Sequence, residues 1–323
     1  MERIKFIEVA SELGAGTRGA SLGIGALKAA SLAKGSDFFK KYPCLAVPTL
    51  NEQLFEDILH PYAKRIPQVR QILEHTAGAV KNTLAEGCFP VVLAGDHSTA
   101  AGTIAGIKMQ MPHKRIGVIW IDAHADLHTP YTTPSGNVHG MPLSVVTGID
   151  NKECQVNYPQ TETVEEWNKC KNIGVEGAKI DPSDIVFIGM RSFEEPEKAI
   201  INRHGIRNFS VEEVRTKGVA AVVGEIMEVL NNCDAIYISF DVDSLDPEIS
   251  TGTGTPVPQG LTAEEGRALN HSLIMQPKVV CWEMVEINPT LDNLNKMAVT
   301  AFEIMEHAIN ARASNGKLVD VAL

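Results

Sequence analysis

The sequence predicts an α/β fold, a single domain of three layers in which helices cover both faces of a mostly parallel central sheet. Three observations carry this expectation. Short β-rich runs alternate with helix-like stretches along the chain, and parallel neighbours need such crossovers. The 323 residues suffice for one large α/β domain, and no internal repeat or low-complexity linker divides them. Clusters of acids and histidines stand at the ends of several apolar runs, and open α/β sheets bind ligands beyond the carboxyl ends of their strands.

Strands are expected at Ile4–Val9, Phe89–Leu93, Ile116–Ile121, Ile185–Gly189, Ala235–Phe240 and Val279–Met284, each an apolar run rich in strand-forming residues. The stretch "GAGTRGASLGIGAL" suits a glycine-rich loop that leads into a helix. Longer helix-like segments run over Val69–Glu86, Ala263–Met275 and Asn293–Asn310. The region 150–184 is the irregular part. It is polar, lacks a clear strand and carries a helix-like patch only around Val164–Lys171. It reads as a surface insertion within a domain spanning 1–323, serving as loop decoration, as an active-site rim or as an oligomer contact.

Hydrophobic residues make up 44% of the chain and charged residues 21%, as in soluble globular proteins. No apolar run approaches the roughly 18 residues of a membrane span. The N-terminus lacks the apolar core of a signal peptide. A net charge of −11 argues against a general nucleic-acid partner. The expected partner is therefore a small molecule, with neither nucleic acid nor membrane. Cys44, Cys88, Cys154, Cys170, Cys233 and Cys281 form no CxxC pair and read as free thiols in a cytoplasmic protein.

The chemistry stands at the strand ends. "VVLAGDHS" closes on Asp96 and His97, and "IYISFDVDSLDP" on Asp241, Asp243 and Asp246. "VVCWEMVEINP" supplies Glu283 and Glu286, and "IWIDAHADLHTP" supplies Asp122, His124, Asp126 and His128 at every second position. In an extended chain such positions share one side. Crowded carboxylates raise one another's pKa and cost free energy unless cations compensate them. Two divalent cations would do so. Carboxylates and imidazoles without thiolate suit Mn²⁺, with Co, Ni, Fe or Zn as alternatives. Paired metals roughly 3.5–4 Å apart can bridge a water and bring its pKa toward neutrality, so metal-assisted hydrolysis is the natural reaction class. Asp246, just before Pro247, reads as a turn residue and Glu283 as structural.

"AGDHS", "DAHAD", "SFDVDSLDP" and "EINP", in this order, resemble the ureohydrolases, the family of arginase, agmatinase and their relatives. The likeness runs from about Phe89 to near the C-terminus. "TPSGNVHGMP" and "TGTGTPVPQGLT" look like arginase rather than agmatinase. The resemblance implies an arginase-like fold, two manganese ions, an oligomer (trimer or hexamer), and hydrolysis of L-arginine to L-ornithine and urea. It also implies that His97, Asp122, Asp126 and Asp241 hold one ion and that His124, Asp122, Asp241 and Asp243 hold the other. Asp122 and Asp241 would bridge the pair. Asp126 would hold the proton of the nucleophile, His139 would carry protons, and Glu286 would accept hydrogen bonds from the guanidinium. Ala94 replaces a family glycine but bears no ligand.

By the same resemblance, Thr133, Ser135 and Asn137 match positions that read the carboxylate of an amino-acid substrate. Two matched positions depart from the pattern. His128 stands where arginases carry Asn, and Glu194 where they carry an Asp that binds the α-amino group. A turn at Thr129–Pro130 would break the alternation, which puts His128 beyond the metals, free to donate to a substrate carboxylate. The departures keep open another guanidino or amidino acid as substrate, agmatinase-like or guanidinobutyrase-like. A non-catalytic metal-binding scaffold is the remote alternative.

Overall fold

Eight strands form one sheet: β1 (Arg3–Val9), β2 (Cys44–Ala46), β3 (Cys88–Ala94), β4 (Ile116–Ile121), β5 (Ile185–Ile188), β6 (Arg207–Phe209), β7 (Ala235–Asp241) and β8 (Val279–Val285). Their order is β2-β1-β3-β8-β7-β4-β5-β6, and every pairing is parallel, so the sheet is wholly rather than mostly parallel. This computed structural model describes residues 2–315; residues 1 and 316–323 of the expected domain lie outside the described residues.

The helices are α1 (Gly23–Ala33), α2 (Ile66–Ala85), α3 (Ala100–Gln110), α4 (Pro142–Thr147), α5 (Thr161–Lys171), α6 (Glu195–His204), α7 (Val211–Lys217), α8 (Val219–Val229), α9 (Ala263–Ile274) and α10 (Lys296–Asn315). They lie in two layers because the strands are apolar on both faces. In β4, Ile119 and Ile121 enter one core with residues of α1, α8, α9 and α10. Its Val118 and Trp120 enter the other core with residues of α2, α3, α4 and α5. Side chains that alternate along a strand thus feed two separate cores.

The strand ends differ from expectation for local reasons. β5 stops at Ile188 because Gly189 takes φ +82°. α2 begins three residues early, with Pro67 in its first turn, where the missing N–H costs nothing. α10 begins three residues late because Leu294 and Asn295 both adopt positive φ. The two unexpected strands, β2 and β6, are three-residue strands at the sheet's edges. All three residues of β2 are exposed, so they carry no burial pattern for a sequence to display.

The polar region 150–184 is firmly anchored. Trp167 of α5 is fully buried and donates to Asp150 Oδ1 at 2.8 Å. Arg70 of α2 pairs with Glu166 at 2.8 Å. Asn157 donates to Thr133 O at 2.7 Å, and its own N–H donates to Tyr131 O. The region therefore buttresses the loop that follows β4.

Candidate metal centre

Four adjacent strands, β3, β8, β7 and β4, deliver the acids and histidines. After β3 the chain passes through Gly95, where a Cβ would lie 2.0 Å from Ser11 O, so only glycine fits. Asp96 then caps the next turn, accepting from Ser98 N at 2.9 Å, and accepts from Gly14 N at 3.0 Å. His97 follows, with its ring stacked flat on Trp120 at 4.0 Å. Its Nε2 lies 2.7 Å from Ser239 Oγ, which fixes the ring and aims Nδ1 at the strand ends.

Three of the central carboxylates are each anchored through Oδ1 by a backbone N–H. Asp122 Oδ1 accepts from His124 N at 2.7 Å, Asp241 Oδ1 from Asp243 N at 2.8 Å, and Asp243 Oδ1 from Ala123 N at 3.1 Å. His97 Nδ1 lies 3.0 Å from Asp122 Oδ2 and 3.1 Å from both Asp126 Oδ2 and Asp241 Oδ2. His124 Nδ1 lies 2.9 Å from Asp243 Oδ2 and 3.5 Å from Asp122 Oδ1. All six expected positions thus meet in two groups that share Asp122.

The arrangement fits cations rather than hydrogen bonds. His97 Nδ1 and Asp122 Oδ2 are buried with no hydrogen-bond partner among the described residues, although oxygens surround the nitrogen. Burial, and then repulsion from neighbouring carboxylates, raises the pKa of Asp126, Asp241 and Asp243. Two imidazole nitrogens and four carboxylates without thiolate form a donor set for hard or borderline divalent ions.

Glu286 and His139 face the same cleft. Glu286 Oε1 accepts from His97 N at 2.9 Å and lies 3.1 Å from His139 Nδ1. Burial opposes a charge on His139, but the Glu286 hydrogen bond and charge prevail and raise its pKa to about 9. Glu286 and Asp126 both hold positive φ, +68° and +51°, conformations that persist only when the surroundings impose them.

His128, Thr133, Ser135, Asn137 and Glu194 line the same cleft. Thr133 Oγ1 accepts from Gly136 N at 2.9 Å, and Ser135 Oγ from Asn137 N at 3.1 Å, so these hydroxyls also shape their own turn. His128 departs from the free imidazole expected of it. Its Nε2 lies 2.7 Å from Glu194 Oε2, and its Nδ1 lies 3.2 Å from Thr132 Oγ1. Both ring nitrogens are therefore engaged, and neither enters the two central groups.

The sequence model of the Arginase family matches residues 2–310. The chain belongs to the arginase family. It is 34% identical to the arginase of Bacillus subtilis strain 168 over 313 residues, 96% of this chain and 98% of that one. The solved arginase of Bacillus caldovelox superposes with a TM-score of 0.82 at 34% identity, covering 95% of this chain and 98% of that one. Entamoeba histolytica arginase, solved in complex with L-ornithine, gives 0.81 at 25% identity, covering 96% and 99%.

In this arginase-family chain, sequence reasoning missed several residues at the site. Glu197 accepts from Leu127 N and from Glu194 N, both at 3.0 Å, and lines the cleft. The Glu194-x-x-Glu197 spacing at the start of α6 is a capping-box signal that could have revealed it. Thr255 donates to Asp243 Oδ2 at 3.1 Å from within the quoted glycine–threonine stretch. Arg191 donates to carbonyls of three segments around the cleft, and Lys64 donates to Asn137 Oδ1 at 3.1 Å. Nothing local marks these last two. Glu283 stays away from the cleft, accepting from Tyr237 at 2.7 Å and Thr99 at 3.0 Å. Asp246 shapes its turn by accepting from Glu248 N and Gly260 N.

Proposed function

We propose that the protein hydrolyses L-arginine to L-ornithine and urea with two manganese ions. The carrying observation is the unpartnered His97 Nδ1 facing three carboxylates, beside a His139–Glu286 pair in one cleft. Membership of the arginase family and the L-ornithine in the Entamoeba relative support the reading. His97, Asp122, Asp126 and Asp241 would hold one ion, and His124, Asp122, Asp241 and Asp243 the other. When bound, the two ions supply Lewis acidity and make water acidic enough to serve as a nucleophile near neutral pH.

The chain's own residues do the rest. Glu286 receives the guanidinium, whose planar donors match a carboxylate. His97 N holds Oε1 in place for that contact. Asp126 accepts a hydrogen bond from the nucleophile and so holds its proton. His139 Nδ1 gives a proton to the leaving amine, and it releases Glu286 when the guanidinium arrives because both use the same carboxylate. Thr133, Ser135 and Asn137 hold the substrate carboxylate with short donors. Glu194, steadied by His128, holds the α-ammonium.

Around this chemistry we place one catalytic domain over 1–323, with the region 150–184 supporting the cleft rim. We assign the protein to the cytoplasm as a homo-oligomer, trimer or hexamer, with no nucleic-acid or membrane partner. No helix among the described residues is long and apolar enough to cross a membrane. The His128–Glu194 pair favours a second reading, a different guanidino or amidino acid as substrate. Urea release from L-arginine, agmatine and 4-guanidinobutyrate, measured with each candidate metal, separates the two. Turnover of another compound but none of L-arginine overturns the first reading. Glu194→Asp and His128→Asn then report whether these two residues set the choice.

A further inference from the structure

We infer that Lys64 sets the specificity of the cleft for substrates that carry a carboxylate, acting through Asn137. The inference rests on L-arginine being the substrate. Asp126, Glu194, Glu197, Asp241, Asp243 and Glu286 all line the cleft, whereas no Lys or Arg does among the described residues. The bound ions would lie at the inner end. An entering carboxylate therefore meets Glu194 and Glu197 with no Lys or Arg in the lining among the described residues, and a positive charge just behind the lining changes its reception.

Lys64 supplies that charge from a turn distant in sequence. Its backbone N–H donates to Gly136 O at 2.8 Å. Gly136 holds φ +76°, and a Cβ there would lie 1.9 Å from Pro61 O. The turn before α2 and the 133–137 loop are thus in backbone contact, which fixes where the lysine begins. Its Nζ donates to Asn137 Oδ1 at 3.1 Å and has no carboxylate within 4.0 Å among the described residues.

The contact also settles which end of the amide is offered. An ammonium only donates, so it must face the oxygen of Asn137. The NH₂ end then points away from Lys64, toward Gly16, where a Cβ would lie 2.5 Å from Asn137 Nδ2. Gly16, in the glycine-rich N-terminal loop, leaves room for the donor end. Lys64 is accordingly a positioning residue that both orients a donor and adds charge.

The test uses manganese-loaded full-length protein and three variants. Lys64→Met loses donor and charge, Lys64→Gln keeps a donor without charge, and Lys64→Arg keeps both. Lys64→Met should raise KM for L-arginine on the order of tenfold, the loss of one charge-assisted contact, with kcat within about twofold. Lys64→Gln should fall between, and Lys64→Arg should stay near wild type. Agmatine, which lacks the carboxylate, should compete equally well in all four proteins. An unchanged KM in Lys64→Met overturns the inference. So does an equal weakening toward agmatine, or a loss that Lys64→Arg fails to restore. Absence of L-arginine turnover in the wild type would instead remove the functional reading on which the inference stands.

Discussion

Arg191 is the residue outside the candidate ligand set whose loss should loosen the site most. Its Nε donates to Pro258 O at 3.0 Å, Nη1 to Gly189 O at 3.0 Å and Ser244 O at 3.3 Å, and Nη2 to Asp243 O at 3.0 Å and Val257 O at 2.7 Å. One guanidinium thereby ties the segments after β5 and β7 to the 257–258 loop. Hydrogen bonds to a charged group contribute roughly 1.5–3 kcal/mol each when well shielded. Arg191 is only partly buried, and solvent screening reduces each to about 1 kcal/mol. Five such bonds, less the cost of desolvating the cation, leave about 3 kcal/mol for Arg191→Met. Arg191→Lys should cost about 2 kcal/mol, because an ammonium has three donors and no fork. Urea titration of metal-free protein at constant m measures both, and manganese titration should show affinity falling about tenfold as the Asp243 backbone is released. A metal-free stability of Arg191→Met within about 0.5 kcal/mol of wild type would refute the reasoning.

Three further outcomes are expected. Manganese at 100 times its Kd should add about 2.7 kcal/mol to unfolding at pH 7 for each ion bound. Asp241→Asn should abolish that increment yet stabilise the metal-free protein by about 1 kcal/mol, because it relieves a buried carboxylate pushed up by burial and then by Asp243; melting curves with and without metal check both signs. Glu197→Ala should cost about 3 kcal/mol in urea, since it orphans the Leu127 and Glu194 N–H groups, and Glu197→Gln should cost less because one carbonyl oxygen remains as acceptor. Cys44 is exposed, yet partial burial and then a hydrogen bond to Glu8 raise its thiol to about 12. It should alkylate at least about tenfold more slowly than an unstructured cysteine peptide at pH 8, with the rate still climbing above pH 10, and Glu8→Gln should accelerate it.

The candidate metal ligands were legible because each motif is local and the fold rule that gathers them is general. A parallel sheet brings its strand ends to one rim, so "GDHS", "DAHAD" and "DVD" meet whatever the details of the crossovers. The supports were not legible, since their contacts are set by packing between distant segments. Lys64 and Asn137 are 73 residues apart, and Arg191 reaches carbonyls up to 67 residues away. No spacing in the chain encodes either contact.

His128 shows where local reasoning fails, and why. Alternation from Asp122 predicts that His124, Asp126 and His128 share one side, with the break at Thr129–Pro130. The break comes earlier: β4 stops at Ile121, Asp122 and Ala123 lie in a bend, and Asp126 adopts φ +51°. That one dihedral lets Asp126 reach His97 Nδ1 while it turns the next histidine outward to Glu194. A left-handed aspartate is uncommon, and no local sequence signal marks it. The same dihedral therefore completes the candidate metal group and precedes the 133–137 loop of the cleft. A change at residue 126 that relaxes φ should disturb both at once: Asp126→Gly, which tolerates the conformation, should lose the metal ligand yet keep the His128–Glu194 contact. Asp126→Val, strained at positive φ, should lose both, as the His128 imidazole resonances in NMR would report.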